Sequence, residues 1–154
     1  VLENGMPRFF RRLAEGVFDL EDLQKRTHEL ADFVVAAADH YKIDIHHMVA
    51  VGYSNGANIA ASMLLLRPET LQAAVLFRAM VPLVPETQPN LAAKCVWIGA
   101  GSDDPIVPAS ETKQLSELLR AAGADVTIRF FQSGHQLTSD DVDRAREWLT
   151  TSVD

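Results

Sequence analysis

The sequence predicts a single α/β domain over residues 1–154, built on a mostly parallel sheet with helices on both faces. Short apolar runs that lack polar alternation recur along the chain, as in strands buried on both faces. Stretches with helical periodicity separate these runs. The 154 residues are 47% hydrophobic, which suits one domain with a real core and argues against disorder.

The elements follow in chain order. Val1–Gly16 is interrupted by glycine and proline, so we expect a connection with at most one short helical turn. Asp19–Tyr41 is predicted as a long amphipathic helix with its first residue as the N-cap. Its expected apolar face is Leu20, Leu23, Leu30, Phe33, Val34 and Ala37. The first strand is Met48–Tyr53, and a buried helix over Asn58–Leu66 ends before Pro68.

The second half of the chain repeats this alternation. Two further buried strands are separated by a proline-rich surface excursion, and two capped helices flank a final strand. The predicted strands are Ala73–Val81, Lys94–Gly99 and Val126–Phe131, the excursion is Pro82–Asn90, and the helices run from Ser110 to Gly123 and from Ser139 onward, the last with Val142, Ala145, Trp148 and Leu149 on its apolar face.

Composition excludes several classes of protein. One cysteine forms no internal disulfide and no cysteine-rich zinc site. No apolar run is long enough to span a membrane. With 14 Lys and Arg against 21 Asp and Glu, the net charge of −7 disfavours nucleic acid as a partner. No signal peptide is recognisable, so we expect a cytoplasmic protein. We also expect no metal, because the adjacent His46 and His47 would point to opposite sides of a strand, and no other cofactor.

The motif Gly52-Tyr53-Ser54-Asn55-Gly56 lies between a predicted strand and a predicted helix. A G-x-S-x-G sequence at such a junction forces a sharp turn that strains the serine backbone and exposes its hydroxyl beside a helix N-terminus. Side chains at the two glycine positions are expected to collide there. Ser54 is therefore the candidate nucleophile, and the alternative is an ordinary serine that caps the helix.

A nucleophilic serine needs a base and an acid that orients the base. Asp103 and Asp104 follow the third predicted strand, and His135 follows the fourth. Serine, aspartate and histidine in this order, each beyond the carboxyl end of a strand, match the arrangement of α/β-hydrolases. Asp104 is favoured over Asp103 because Pro105 biases it toward an extended backbone. The other histidines, which we expect to be structural or solvated, are His28, His40, His46 and His47.

The sequence resembles the phospholipase/carboxylesterase branch of the α/β-hydrolases, and in particular small bacterial esterases near dienelactone hydrolase. Four stretches carry the resemblance: Glu3–Phe10, Gly52–Gly56, Gly101–Pro108 and Gly134–Leu137. The resemblance implies an α/β-hydrolase fold in which Ser54 is the nucleophile, Asp104 the acid and His135 the base. It also implies that the backbone N–H of Asn55 is one donor of the oxyanion hole.

The family also has initial strands and a His-Gly loop that supplies a second oxyanion donor, and nothing in this sequence matches them. The resemblance therefore implies an α/β-hydrolase domain that is incomplete at its amino terminus, about two-thirds of the usual length. Loss of one such donor typically costs about 10²–10³ in turnover, so this chain is expected to be a poor enzyme. Met48–Tyr53 would then be an uncovered hydrophobic edge, so we expect either that the missing segment is present in the native protein or that another chain covers this edge, for example in a homodimer.

Candidates for substrate contact surround the predicted cleft. Arg78 interrupts a buried strand and either orients substrate there or forms a structural ion pair. Met80 and Val81 either form an acyl-side wall or pack in the core. Phe9, with Arg8, either lines the opposite wall or anchors a loop.

These observations predict a serine hydrolase that cleaves small-molecule carboxylic esters through an acyl-enzyme. The alternatives are a thioesterase or lysophospholipase of the same family, or a non-catalytic binding or scaffold remnant of the fold.

Overall fold

The computed structural model describes residues 1–3 and 5–153. Asn4, which belongs to the first stretch of the resemblance, and Asp154, the last residue of the predicted domain, lie outside the described residues. The amino-terminal region forms two pairs of short antiparallel strands, whereas the sequence predicted a connection with at most one short helical turn. Their strands are Leu2–Glu3 (β1), Met6–Pro7 (β2), Arg12–Ala14 (β3) and Val17–Phe18 (β4).

The rest of the described chain forms a four-stranded parallel sheet in the order β5-β6-β7-β8. One helix precedes β5, one connects β5 to β6, one connects β7 to β8 and one follows β8, whereas an irregular segment connects β6 to β7. The predicted α/β class is therefore confirmed. The strands are Val49–Tyr53 (β5), Ala73–Phe77 (β6), Cys95–Gly101 (β7) and Asp125–Phe131 (β8). The helices are Leu20–Tyr41 (α1), Asn55–Leu66 (α2), Ala109–Ala121 (α3) and Ser139–Ser152 (α4).

Alternating residues of the central strands divide the core into two layers. Leu76 and Ile98 pack in the layer that contains buried residues of α1, α2 and α3. Phe77 and Trp97 face the opposite way and pack with Ala145 of α4. Helices therefore lie on both faces of the sheet, as the near-continuous apolar runs predict. Within the described part of the chain, none of the helices has the length and hydrophobicity that crossing a bilayer requires.

Several predicted boundaries are wrong by a few residues. The strand predicted to reach Val81 ends at Phe77, because Arg78 has a left-handed backbone with φ +56°. Pro108, not Ser110, precedes α3, and Thr138, not Ser139, caps α4. Residues 45–47 form a 3-10 turn before β5 in which both histidines are exposed, so these histidines do not enter a strand as expected.

Two predictions of burial are also wrong. β5 lies at the edge of the sheet, which agrees with the uncovered edge expected for Met48–Tyr53. Val51 and Tyr53 are 64% and 41% exposed, however, so the strand is not buried on both faces as its apolar run predicted. Apolar periodicity also places Leu20, Phe33 and Val142 on buried helix faces, yet all are exposed. Periodicity identifies the apolar face of a helix that can be buried. How much of that face is buried depends on how much of the neighbouring structure packs against it.

The turn from β5 into α2 depends on a close backbone approach. A Cβ atom at Gly52 would lie 2.5 Å from the carbonyl carbon of Gly56 and 2.6 Å from the Ala57 nitrogen. The expected collision is therefore present at Gly52. At Gly56, the nearest atom to an added Cβ is Phe9 Cε2 at 3.6 Å, an ordinary contact. Only the first glycine of the motif is required by the space within the turn.

The amino terminus of α4 is held by a buried ion pair. Arg78 and Asp141 are joined by two hydrogen bonds of 2.7 and 2.9 Å, and neither side chain is exposed. Asp141 also completes a capping box with Thr138. Burial raises the pKa of Asp141, but hydrogen bonds from Arg78 and Thr138 outweigh it and lower this pKa below its usual value.

We expect Gly52→Ala to reduce the free energy of unfolding by about 3 kcal/mol, because the methyl group overlaps backbone atoms that cannot rotate away. The matched control, Gly56→Ala, should remain within about 1 kcal/mol of the parent, since alanine favours the helix it enters. Equilibrium unfolding in urea measures both values. Equal losses for the two variants would contradict the assignment of the close approach to Gly52.

We expect Asp141→Asn to lower the free energy of unfolding by about 3–5 kcal/mol at neutral pH, because it leaves the Arg78 charge buried without a partner. The folded-state pKa of Asp141 is depressed, so its stabilisation is complete above the unfolded value of about 3.9 and is lost as pH falls through the folded value. The difference from the parent should therefore shrink on acidification.

Urea unfolding at a series of pH values checks this expectation. The control is Asp143→Asn on the same helix, which removes an exposed pair with Arg146 and should cost less than about 1 kcal/mol. A difference between the parent and Asp141→Asn that does not depend on pH would contradict the depressed pKa.

Candidate active site

Ser54 occupies the strained turn between β5 and α2. Its backbone has φ 52° and ψ −113°, and its N–H donates to the carbonyl oxygen of Phe77 at 2.9 Å. A non-glycine residue with positive φ is costly, so the surrounding contacts must hold this conformation. The turn places the hydroxyl at the carboxyl edge of the sheet, where the sequence predicted it.

His135 connects Ser54 to Asp104 through its two ring nitrogens. Its Nε2 lies 3.0 Å from Ser54 Oγ, and its Nδ1 lies 2.8 Å from Asp104 Oδ2. The structure therefore brings together three side chains that are far apart along the chain. His135 lies 31 residues after Asp104 and 81 residues after Ser54. They follow β5, β7 and β8, whose parallel arrangement puts all three carboxyl ends at one edge.

Asp104, not Asp103, faces the histidine. Its side chain is 1% exposed, and Oδ1 accepts hydrogen bonds from the amides of Ile106 and Val107 at 2.8 and 3.0 Å. Asp103 is exposed, and within the described residues its carboxylate accepts one side-chain hydrogen bond, from Ser102 Oγ. Oδ1 thus caps the turn that follows Pro105, while Oδ2 faces the His135 ring.

The charge of Asp104 determines the direction of the hydrogen bonds. Burial raises the pKa of Asp104, but the amides of Val107 and Ile106 and the ring of His135 outweigh burial and lower this pKa below its usual value. The ionised carboxylate can only accept, so Nδ1 of His135 carries the proton. Nε2 is then left to accept the hydroxyl proton of Ser54.

The backbone around His135 is held by the side chains of Tyr53, in β5, and of Arg78, which follows β6. Tyr53 Oη donates to the carbonyl oxygen of His135 at 3.1 Å, and Arg78 donates to the carbonyl oxygens of Gly134 and Gln136. A Cβ atom at Gly101 would lie 2.3 Å from the oxygen of Gly134, so β7 also packs closely against this loop. Tyr53 was not among the predicted site residues, although its position next to Ser54 in the motif could have indicated a role.

Asn55 begins α2, so its N–H belongs to the first turn, whose amides have no partner within the helix. This N–H can donate to negative charge that develops beside Ser54, and the helix dipole supports such charge. The Asn55 side chain has a separate role, because its Oδ1 accepts from the N–H of Phe9 at 2.8 Å. This bond ties the connection between β2 and β3 to the turn.

A small cleft of about 30 Å³ lies beside Ser54. Met80 and Arg78, two of the predicted substrate contacts, line it, whereas Val81 and Phe9 are not among its lining residues. The Met80 amide donates to Asn58 Oδ1 at 2.8 Å, which fixes this wall to α2. Lining residues that the sequence analysis did not single out include Arg12, Phe18, Asn58, Ile106 and Val107.

The Phe9 ring is half exposed and lies beside Gly56, outside the cleft. A larger groove, of about 890 Å³, lies between β8 and α4 with Trp97, Phe131 and Trp148 among its lining residues. Neither Ser54 nor His135 lines this groove, so its size does not make it the site of chemistry. Ser54, whose hydroxyl is hydrogen-bonded to His135, lines the smaller cleft, so the smaller cleft is the candidate active site.

Known proteins match both the sequence and the fold. The model of the dienelactone hydrolase family matches residues 11–148. A Bacillus subtilis (strain 168) protein named "Putative hydrolase MhqD" is 46% identical over 99% of this chain and 76% of its own length. A Bacillus cereus carboxylesterase structure is 53% identical, with a TM-score of 0.96, and covers 99% of this chain and 72% of that chain.

A carboxylesterase structure from Mesorhizobium loti is 30% identical, with a TM-score of 0.93, and covers 98% of this chain and 72% of that chain. These similarities span both the strands and the loops that carry Ser54, Asp104 and His135. The chain belongs to the dienelactone hydrolase family and is a hydrolase with the α/β-hydrolase fold.

Proposed function

We propose that this protein is a serine hydrolase that cleaves carboxylic esters through an acyl-enzyme, with Ser54 as nucleophile, His135 as base and Asp104 as acid. The observation that carries the proposal is the hydrogen-bonded line from Ser54 Oγ through the His135 ring to Asp104 Oδ2. The similarity to carboxylesterases from two bacteria supports the choice of ester as substrate class.

In the first half of the reaction, Ser54 Oγ attacks the ester carbonyl carbon and its proton passes to His135 Nε2. The carbonyl oxygen gains negative charge, and the Asn55 N–H at the start of α2 donates to it. When the tetrahedral intermediate collapses, the bond to the alcohol oxygen breaks and His135 gives this oxygen its proton. The acyl group is then bound to Ser54.

In the second half, water attacks the acyl carbon while His135 Nε2 removes a proton from the water. The bond to Ser54 Oγ breaks, the serine regains its proton from His135, and the carboxylic acid leaves. The Asp104 carboxylate keeps Nδ1 as the donor in both halves and stabilises the imidazolium that forms. Its depressed pKa keeps it ionised for this task.

We expect Ser54→Ala to lower kcat/KM for a short p-nitrophenyl ester by at least about 10³-fold, because the covalent route is lost. A fluorophosphonate probe should label the parent protein at Ser54 and leave the variant unlabelled. Ser102→Ala is the matched control, since its exposed hydroxyl contacts the neighbouring Asp103, and its activity should equal that of the parent. A parent that is not labelled would favour a non-catalytic binding protein.

We expect Asp104→Asn to lower kcat by about 10²–10⁴-fold, because the amide can present an N–H to Nδ1 and favour the wrong tautomer. Asp103→Asn should change kcat less than about threefold, since this carboxylate is exposed and does not contact the ring. Steady-state kinetics on the same ester, with circular dichroism to confirm folding, compares the two neighbours. A larger loss at Asp103 would reverse the assignment.

A further inference from the structure

Arg78 is the first residue after β6, and its backbone is strained in the same sense as that of Ser54. Its φ is +56°, in the left-handed region that glycine adopts at least cost, and its N–H donates to the carbonyl oxygen of Gly99 at 2.8 Å. The side chain is among the largest fully buried ones. A strained backbone and a buried charge at one residue indicate that the guanidinium has a specific task.

The guanidinium contacts are concentrated on the loop that carries His135. Nε donates to the carbonyl oxygen of Gly134 at 3.1 Å, and Nη2 donates to that of Gln136 at 3.0 Å. Nη2 also lies 3.0 Å from the Ser133 hydroxyl. The residues immediately before and after His135 are therefore bound to one rigid, planar group.

Asp141 fixes the orientation of that planar group. It binds Nη1 and Nη2 at 2.7 and 2.9 Å, and its Oδ2 also accepts the N–H and hydroxyl of Thr138 at 2.9 and 2.7 Å. The guanidinium is thus anchored to the first turn of α4 while it holds the preceding loop. Because the pair is neutral overall and engaged in hydrogen bonds, its buried charges are compensated within the fold.

We infer that Arg78 is a positioning residue that holds His135 between Ser54 and Asp104, with Asp141 as its anchor. The ring is part-buried on a loop, and its hydrogen bonds of 2.8 and 3.0 Å require the loop backbone to stay in place. A displacement of about 1 Å in such a constellation can cost about 10² in rate. The guanidinium's partners lie in the protein, so we expect its effect in kcat rather than in substrate affinity.

The experiment compares Arg78→Met, Arg78→Lys and the double variant Arg78→Met/Asp141→Asn in the intact protein. The double variant removes both buried charges but keeps an oxygen at position 141 that can accept from Thr138. It should therefore be more resistant to unfolding than Arg78→Met. Arg144→Met is the control, because this arginine lies on α4 in exposed ion pairs with Asp140 and Glu147.

The kinetic readout rests on the proposed function. We expect kcat for the p-nitrophenyl ester to fall about 100-fold in Arg78→Met and in the double variant, with KM changed less than about threefold. Lysine preserves the charge but not the planar fork of hydrogen-bond donors. Arg78→Lys should therefore have a kcat of about a tenth of the parent value, higher than that of Arg78→Met. Arg144→Met should match the parent.

A second readout does not depend on turnover. We expect the proton on His135 Nδ1, which Asp104 accepts, to give a far-downfield proton NMR resonance, and its loss in Asp104→Asn would assign it. This resonance should be lost or shifted in the double variant and unchanged in Arg144→Met. If the parent protein hydrolyses no ester, the proposed function fails, and the resonance still decides whether Arg78 positions the ring.

Three results would overturn the inference. The first is a double variant with kcat within about threefold of the parent, which would make the pair purely structural. The second is an unchanged Nδ1 resonance in that variant. The third is a raised KM with unchanged kcat in Arg78→Met, which would indicate a substrate-binding arginine instead.

Discussion

Parallel pairing of consecutive strands is the constraint on which the rest of the structure depends. The register aligns Tyr53 with Phe77 and Phe77 with Gly99, so the carboxyl ends of neighbouring strands meet at one edge. The residues that follow each strand therefore lie in the same small region. A change in the order or direction of one strand would move Asp104 or His135 away from Ser54.

Backbone strain at this edge is confined to residues whose conformations the sheet holds. Ser54 and Arg78 both have positive φ, and each donates its N–H across to the next strand, to Phe77 and Gly99 respectively. These bonds continue the ladder by one step beyond each strand. The free-energy cost of strain is therefore offset locally, and the side chains leave the sheet in directions that an extended residue would not allow.

Two buried aspartates act on either side of the histidine loop by the same physical means. Asp104 accepts two backbone amides and the His135 ring, whereas Asp141 accepts the guanidinium of Arg78 and the Thr138 cap. In each case hydrogen bonds to the charged form outweigh burial, and the pKa lies below its usual value. One carboxylate is hydrogen-bonded to the His135 ring, and the other to the guanidinium that binds the backbone on both sides of that ring.

Local pattern was sufficient for the element types of the sheet and for the order of Ser54, Asp104 and His135, because periodicity, turn residues and strand ends are properties of neighbouring residues. The short amino-terminal strand pairs and the partners of Arg78 were not predictable in this way. Arg78 contacts residues that lie 55 to 63 positions further along the chain. Local sequence patterns do not indicate contacts over such long separations. The sequence alone thus determined which residues stand at strand ends, and the tertiary structure decided which of them touch, because packing brings together groups that the chain keeps apart.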